Sequence, residues 1–226
     1  MLTALALSSK LMPNLRPILL GARRKSGTES LSDKKLDQEQ AWRKDDFVCQ
    51  FCGFRAEKYQ RVVPGAWCGD NRPGLTACFY CEQCFSLETV GLSGSGYLVW
   101  LPEIPQHQLH HLCRAIYIAR QQEHLADRAQ TALDALLSRR AEAKKRLGTD
   151  DPLLLGTVLL ENLRDQDYAQ RGKRLEGIRY LPSDRYLIQT QNGLIDQFPA
   201  ILTYWQSSRG PFSKLAPQEW LDQFLF

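Results

Sequence analysis

Apolar and polar positions divide the 226-residue chain into segments of different character. Met1 to Leu20 is rich in apolar residues, but Lys10, Pro13, Arg16 and Pro17 interrupt it, and Gly27 to Asp33 is polar. Residues 1–35 therefore read as an irregular lead-in. Leu36 to Lys44 has the pattern of a short helix. A strand ending at Val62-Val63-Pro64 follows, then a loop rich in Gly, Asn, Asp and Pro from Gly65 to Gly74. Leu75 to Val90 is expected to turn helical towards its end, Gly91 to Gly96 to be flexible, and Tyr97 to Leu101 to form a strand stopped by Pro102. From Gln106 to Leu147 there are almost no breakers. Leu109, Leu112, Ile116, Leu125, Leu133, Leu136 and Leu137 recur at near-helical spacing, which predicts one long helix.

Gly148 ends that helix. Asp150 or Asp151 can cap the next, with Pro152 in its first turn. Leu153 to Leu163 is apolar. Leu181-Pro182-Ser183 marks a break, after which Ser183 or Asp184 can cap a further helix. The tail carries Trp205, Phe212, Leu215, Trp220, Leu221, Phe224, Leu225 and Phe226, which either pack on the core or dock into a partner. The pattern predicts an α+β protein with three parts: the lead-in 1–35, a small domain 36–104, and a mainly helical region 105–226 with an aromatic tail.

Charge adds little to this picture. A net charge of +4 is mild for a dedicated nucleic-acid binder. Arg23, Arg24 and Lys25 read as a solvated segment, or as a patch for an acidic partner. Arg139, Arg140, Lys144, Lys145 and Arg146 complement a helix dipole. No segment reaches the roughly 18 uninterrupted apolar residues of a membrane span. The N-terminal charges lie inside and after the apolar stretch, where a signal peptide has them before it. A soluble, cytoplasmic protein is expected.

Cysteine placement changes the picture most. Six of the seven cysteines lie between Cys49 and Cys84. Cys49 and Cys52 form one Cys-x-x-Cys pair, and Gly53 suits the tight turn after it. Cys78 and Cys81 form a second pair. Four thiolates at this spacing bind one tetrahedral zinc ion at about 2.3 Å each, and four-cysteine sites are usually closed and structural. Cys84 repeats the spacing after Cys81, so spacing alone leaves the register of the second pair open; Cys78 with Cys81 is preferred. Cys68 reads as a loop thiol and Cys113 as a core residue.

The order of Cys-x-x-Cys, strand, loop and a second Cys-x-x-Cys opening a helix resembles the HNH, or ββα-metal, nuclease domain. That resemblance implies a small HNH-like zinc domain at 36–104. In that family a histidine just before the Ile/Val-x-Pro element activates the attacking water; here Arg61 holds the position. Arginine stays protonated and cannot serve as a general base. The four histidines, His107, His110, His111 and His124, lie far downstream, and His107 with His111 reads as a solvated helix face. No phosphate loop or dinucleotide fingerprint is present. A non-enzymatic protein without a small-molecule substrate is expected, with an HNH-type nuclease or a zinc-dependent nucleic-acid-binding module as the alternatives.

A second resemblance covers most of the chain. Its carriers are Cys49-Gln50-Phe51-Cys52-Gly53-Phe54, Cys81-Glu82-Gln83-Cys84-Phe85 through Glu88-Thr89-Val90-Gly91, Tyr97 to Glu103, and Leu109-His110-His111-Leu112-Cys113. Weaker matches continue at Asp151-Pro152 and Leu181-Pro182-Ser183. On these residues the chain resembles the IcmJ/DotN family of type IVB secretion and conjugation systems. The resemblance implies an HNH-like zinc fold without nuclease activity. It also implies an adaptor in the coupling complex that binds the C-terminal region of the DotL-type coupling ATPase and helps recruit substrates. Such a subunit would be cytoplasmic and reach the inner membrane only through its partners. The helical surface near Tyr117, the region around Tyr180 and the tail from Trp220 are candidate contact regions.

Overall fold

The computed structural model describes residues 15–23 and 38–224. The expectations for Met1 to Asn14, for residues 24–37 (Arg24 and Lys25 among them) and for Leu225 and Phe226 lie outside these residues.

Helix α1 (Gln38–Lys44) buries Ala41 and leads into the first cysteine turn. Strands β1 (Gln60–Pro64) and β2 (Gly74–Cys78) form an antiparallel hairpin in which Gln60 faces Cys78 and Pro64 faces Gly74. Helix α2 (Phe79–Gln83) starts directly after Cys78, so the local order is strand, strand, helix. Helix α3 (Leu87–Ser93) and strand β3 (Gly96–Trp100) follow. The stretch expected to be flexible is therefore ordered. Gly91 lies within α3, and only Gly94, with φ of 61°, makes the turn into β3.

The predicted long helix is three helices: α4 (Gln106–Ala119), α5 (Ala126–Ser138) and α6 (Arg140–Leu147). Arg120 to His124 offers no apolar side chain to bury, so nothing holds that stretch against the core and the chain turns. The second break has a local cause as well: the Arg139 carbonyl accepts from the Trp100 N–H at 3.2 Å, which ties the break to the end of β3. The predicted cap is present. Asp151 accepts from the Leu153 N–H at 2.8 Å, with Pro152 in the first turn of α7 (Pro152–Leu154), which continues into a π-helical stretch, Leu155–Leu160.

Two short helices, α8 (Asp165–Ala169) and α9 (Arg171–Arg174), precede strand β4 (Ile178–Pro182). No helix starts at Ser183 or Asp184. Leu181-Pro182 instead ends β4, which pairs antiparallel with β3, Gly96 facing Pro182 and Trp100 facing Ile178. A hairpin of β5 (Leu187–Thr190) and β6 (Gly193–Asp196) then leads to α10 (Phe198–Gln206) and α11 (Pro217–Phe224). Among the described residues the architecture is α+β, with helices packed around three small antiparallel pairs.

One apolar cluster joins residues of the cysteine region, among them Phe51, Phe54, Leu75 and Phe79, to Leu109, Ile116, Trp205, Phe212 and Trp220. A second cluster, with Cys84, Leu87, Leu98, Leu155 and Tyr180, lies under α3 and β3. Trp205, Phe212 and Trp220 are thus core residues. The lead-in residues 15–23 lie against the cysteine turns: the Arg16 N–H donates to the Gln50 carbonyl at 3.0 Å and the Gly21 N–H to the Cys84 carbonyl at 2.8 Å.

Candidate metal centre

The first cysteine turn is closed by backbone bonds. The Gly53 N–H donates to the Cys49 carbonyl at 2.9 Å, and the Cys49 N–H to the Phe54 carbonyl at 2.9 Å. Gly53 has φ of 74°, a conformation that disfavours side chains with a Cβ. The Gln60 amide, at the start of β1, donates to the carbonyls of Phe47 at 2.9 Å and Phe54 at 3.2 Å and so fixes the turn to the hairpin. The second pair straddles the β2–α2 junction: Cys78 ends the strand and Cys81 lies one turn into the helix.

This arrangement brings Cys49, Cys52, Cys78 and Cys81 together, with all four sulfurs within 4.8 Å of one another and all four residues buried. Cys52 Sγ lies 3.6 Å from Cys78 Sγ, far beyond disulfide length, and the cysteines are free thiols. A tetrahedron of sulfurs about 2.3 Å from a central ion has edges of roughly 3.8 Å. The cluster therefore has the dimensions and donor set to hold one metal ion. Cys84 is outside it. Its sulfur faces the Tyr80 carbonyl at 3.5 Å and His110 Nε2 at 3.7 Å, on the side of the second apolar cluster. Cys68 is half-buried in the 3-10 turn after β1, and Cys113 is buried on α4.

Helix α4 closes the cluster from the other side. Burial and the neighbouring sulfurs push the thiols of Cys49 and Cys81 up. Burial raises Cys52 as well, but hydrogen bonds with the other three sulfurs and the Arg114 cation hold it well below its ordinary range. Arg114 Nη2 donates to Cys78 Sγ at 2.8 Å. Burial lowers the Arg114 pKa, and the surrounding thiolates more than offset this and raise it.

His110 and His111 are both fully buried, which corrects the solvated-face reading of His111; His107 is half-buried. A backbone carbonyl can only accept, so His111 Nε2 donates to the Cys52 carbonyl at 2.7 Å. His110 is fixed by elimination. Gln106 Oε1 accepts from the Tyr180 N–H at 2.9 Å, so the Gln106 amide nitrogen is the donor to the Tyr180 carbonyl at 2.7 Å and to His110 Nε2 at 2.9 Å. His110 Nδ1 then carries the hydrogen and points at Cys81 Sγ, 3.2 Å away. Gln106, His110 and Arg114 went unrecognised in the sequence; the readable signal was polar residues at intervals of four on an otherwise apolar helix face.

Arg61 lies on β1, and its guanidinium donates to the Tyr186 hydroxyl at 3.1 Å. Tyr117, Tyr180 and Trp220 are buried, so these side chains are not open contact points. Arg23 pairs with Glu82 at 3.3 Å, and Arg140 with Asp150 at 2.7 Å.

The chain is 32% identical over 166 residues to "Type 4 apparatus protein DotN" of Legionella pneumophila subsp. pneumophila, covering 67% of this chain and 77% of that protein. The chain belongs to the DotN (IcmJ) family. No protein-family model matches it.

Proposed function

We propose that the chain is a non-catalytic adaptor subunit of a type IVB secretion or conjugation apparatus, stabilised by one structural zinc ion. The observation that carries this reading is kinship with a type IV apparatus protein at 32% identity. The chain acts in the coupling complex, binds the C-terminal region of the DotL-type ATPase and helps recruit substrates. It reaches the inner membrane through that complex; among the described residues no helix is long and apolar enough to cross a membrane.

Zinc is the ion of choice for a buried, closed set of four thiolates without redox demands. Its role is to hold the cysteine turn to the β1–β2 hairpin, as metal binding to such a site contributes directly to folding. Arg61 supports the absence of nuclease activity, because its position in an HNH-like arrangement calls for a base. The hairpin followed by α2 supports kinship of this segment with the ββα-metal fold.

Affinity purification from the native host, with metal content measured on the same sample, tests the reading. One zinc per chain with a coupling ATPase as the main partner is the expected result. Zinc with bound DNA and no such ATPase overturns the adaptor role, and cleavage of plasmid DNA by the purified protein with Mg2+ or Mn2+ overturns its non-catalytic character.

A further inference from the structure

Gln106, His110 and Arg114 occupy successive turns of α4, and all three residues are buried, as are Leu109, Cys113 and Tyr117 on the same helix. Arg114 is the most demanding of them. A buried guanidinium needs compensating charge, since removing it from water uncompensated costs several kcal/mol. Among the described residues no carboxylate pairs with it. Its Nη2 meets Cys78 Sγ at 2.8 Å and Cys52 Sγ at 4.0 Å. The rest of the group lies against aromatic faces, 4.0 Å from the Phe54 ring centre and 5.0 Å from that of Tyr80. Its Nε and Nη1 have no hydrogen-bond partner. The sulfurs are therefore the source of its counter-charge. Four thiolates around a divalent cation carry a net charge of −2, so cation and cluster each supply what the other lacks.

We propose that Arg114 is the buried counter-ion of a metal–tetrathiolate centre, and that it retains the ion by neutralising and hydrogen-bonding the Cys78 thiolate. This rests on the metal-site reading of the four cysteines. Arginine suits the role because its guanidinium is planar, weakly hydrated and able to stack on rings while donating edgewise. The aromatic cage of Phe54, Tyr80 and Trp205 fixes its orientation, and through Trp205 it links the centre to helix α10.

The test is release of zinc from the metal-loaded full-length chain to a chromophoric chelator under reducing conditions. Arg114→Met is compared with Leu133→Ala, a core change on the separate helix α5, at urea concentrations that match the stability of the two variants. Arg114→Met is expected to release zinc about tenfold faster than the matched variant. In the cobalt-loaded protein the sulfur-to-metal charge-transfer band should move to lower energy in Arg114→Met and stay in place in Leu133→Ala, because a thiolate that loses a charged donor is easier to oxidise. If Arg114→Met does not fold, Arg114→Lys and Arg114→Gln replace it, and the lysine variant should hold the ion longer. Equal release rates and an unmoved band overturn the counter-ion role while leaving the metal site standing. A wild-type chain that takes up neither zinc nor cobalt overturns the metal site itself.

Discussion

Gly91 and Leu153 approach so closely that a Cβ on Gly91 would lie 2.3 Å from the Leu153 Cβ. A few residues on, the same two helices meet again: a Cβ on Gly156 would lie 2.8 Å from the Glu88 nitrogen. The pair of glycines lets α3 and the Pro152–Leu160 segment pack backbone to backbone. Gly91→Ala has an ordinary helical backbone to fit into but no space, so overpacking dominates the gain in helix propensity. The expected loss is about 1–3 kcal/mol, read as a lower urea midpoint. An unchanged midpoint would mean that the two helices separate without cost.

Local signals made much of this chain legible, and distant pairings hid the rest. Asp151-Pro152 announced a helix start because capping is decided by neighbouring residues. Gly53 and the two Cys-x-x-Cys pairs pointed to a cluster of four cysteines for the same reason. The register that leaves out Cys84 needed the structure, since it depends on Cys78 ending β2 and facing Gln60. Strand β4 was hidden because its partner β3 lies far earlier in the chain. The long helix failed as an expectation because Arg120 to His124 contains no Gly or Pro; its missing apolar residue was the only sign of a turn. Gln106, His110 and Arg114 were hidden most deeply, because polar residues on a helix ordinarily face water; here His110 and Arg114 face sulfur and Gln106 bonds His110 and the Tyr180 backbone.

Substitution of the cysteines should sort them into two classes. Cys49→Ser and Cys52→Ser each remove one of four thiolates from a buried site and should abolish stoichiometric metal binding and lead to aggregation. Cys84→Ser should retain the metal, because the Cys84 sulfur lies outside the cluster. Cys68→Ser should change neither metal content nor stability by more than about 0.5 kcal/mol. Metal content by mass spectrometry, alongside thermal unfolding, checks the series. A metal-replete Cys49→Ser protein of normal stability would sink the assignment.

Trp205 ties the tail to the cysteine region. It is 1% exposed, and its ring centre lies 5.8 Å from that of Phe54 and 6.0 Å from that of Phe79. Trp205→Ala should cost about 3–5 kcal/mol, as expected for emptying a well-packed aromatic site. Urea unfolding measures it. A cost below about 1 kcal/mol would show that α10 is only loosely attached to the core.

His110 should give the fold a defined acid sensitivity. Burial lowers its pKa from 6.5 to about 4, so the imidazole is neutral in the folded chain at neutral pH. The unfolded chain then binds more protons than the folded one between these two values. Stability accordingly rises with pH across this window: the contribution is fully present above pH 6.5 and is lost as pH falls towards 4. For a shift of this size the loss is on the order of 3 kcal/mol. Protonation of Cys52, which is held low in the folded chain, acts in the same direction, so the wild-type slope alone does not isolate the histidine. His110→Gln removes the titrating group and keeps a side chain able to donate a hydrogen bond. Urea midpoints at pH 7, 6 and 5 should fall more steeply in the wild type than in His110→Gln, and the difference in slope is the contribution of His110. Parallel slopes would mean that His110 takes up its proton in the folded chain as easily as in the unfolded one, in conflict with an imidazole held between Gln106 and the Cys81 sulfur.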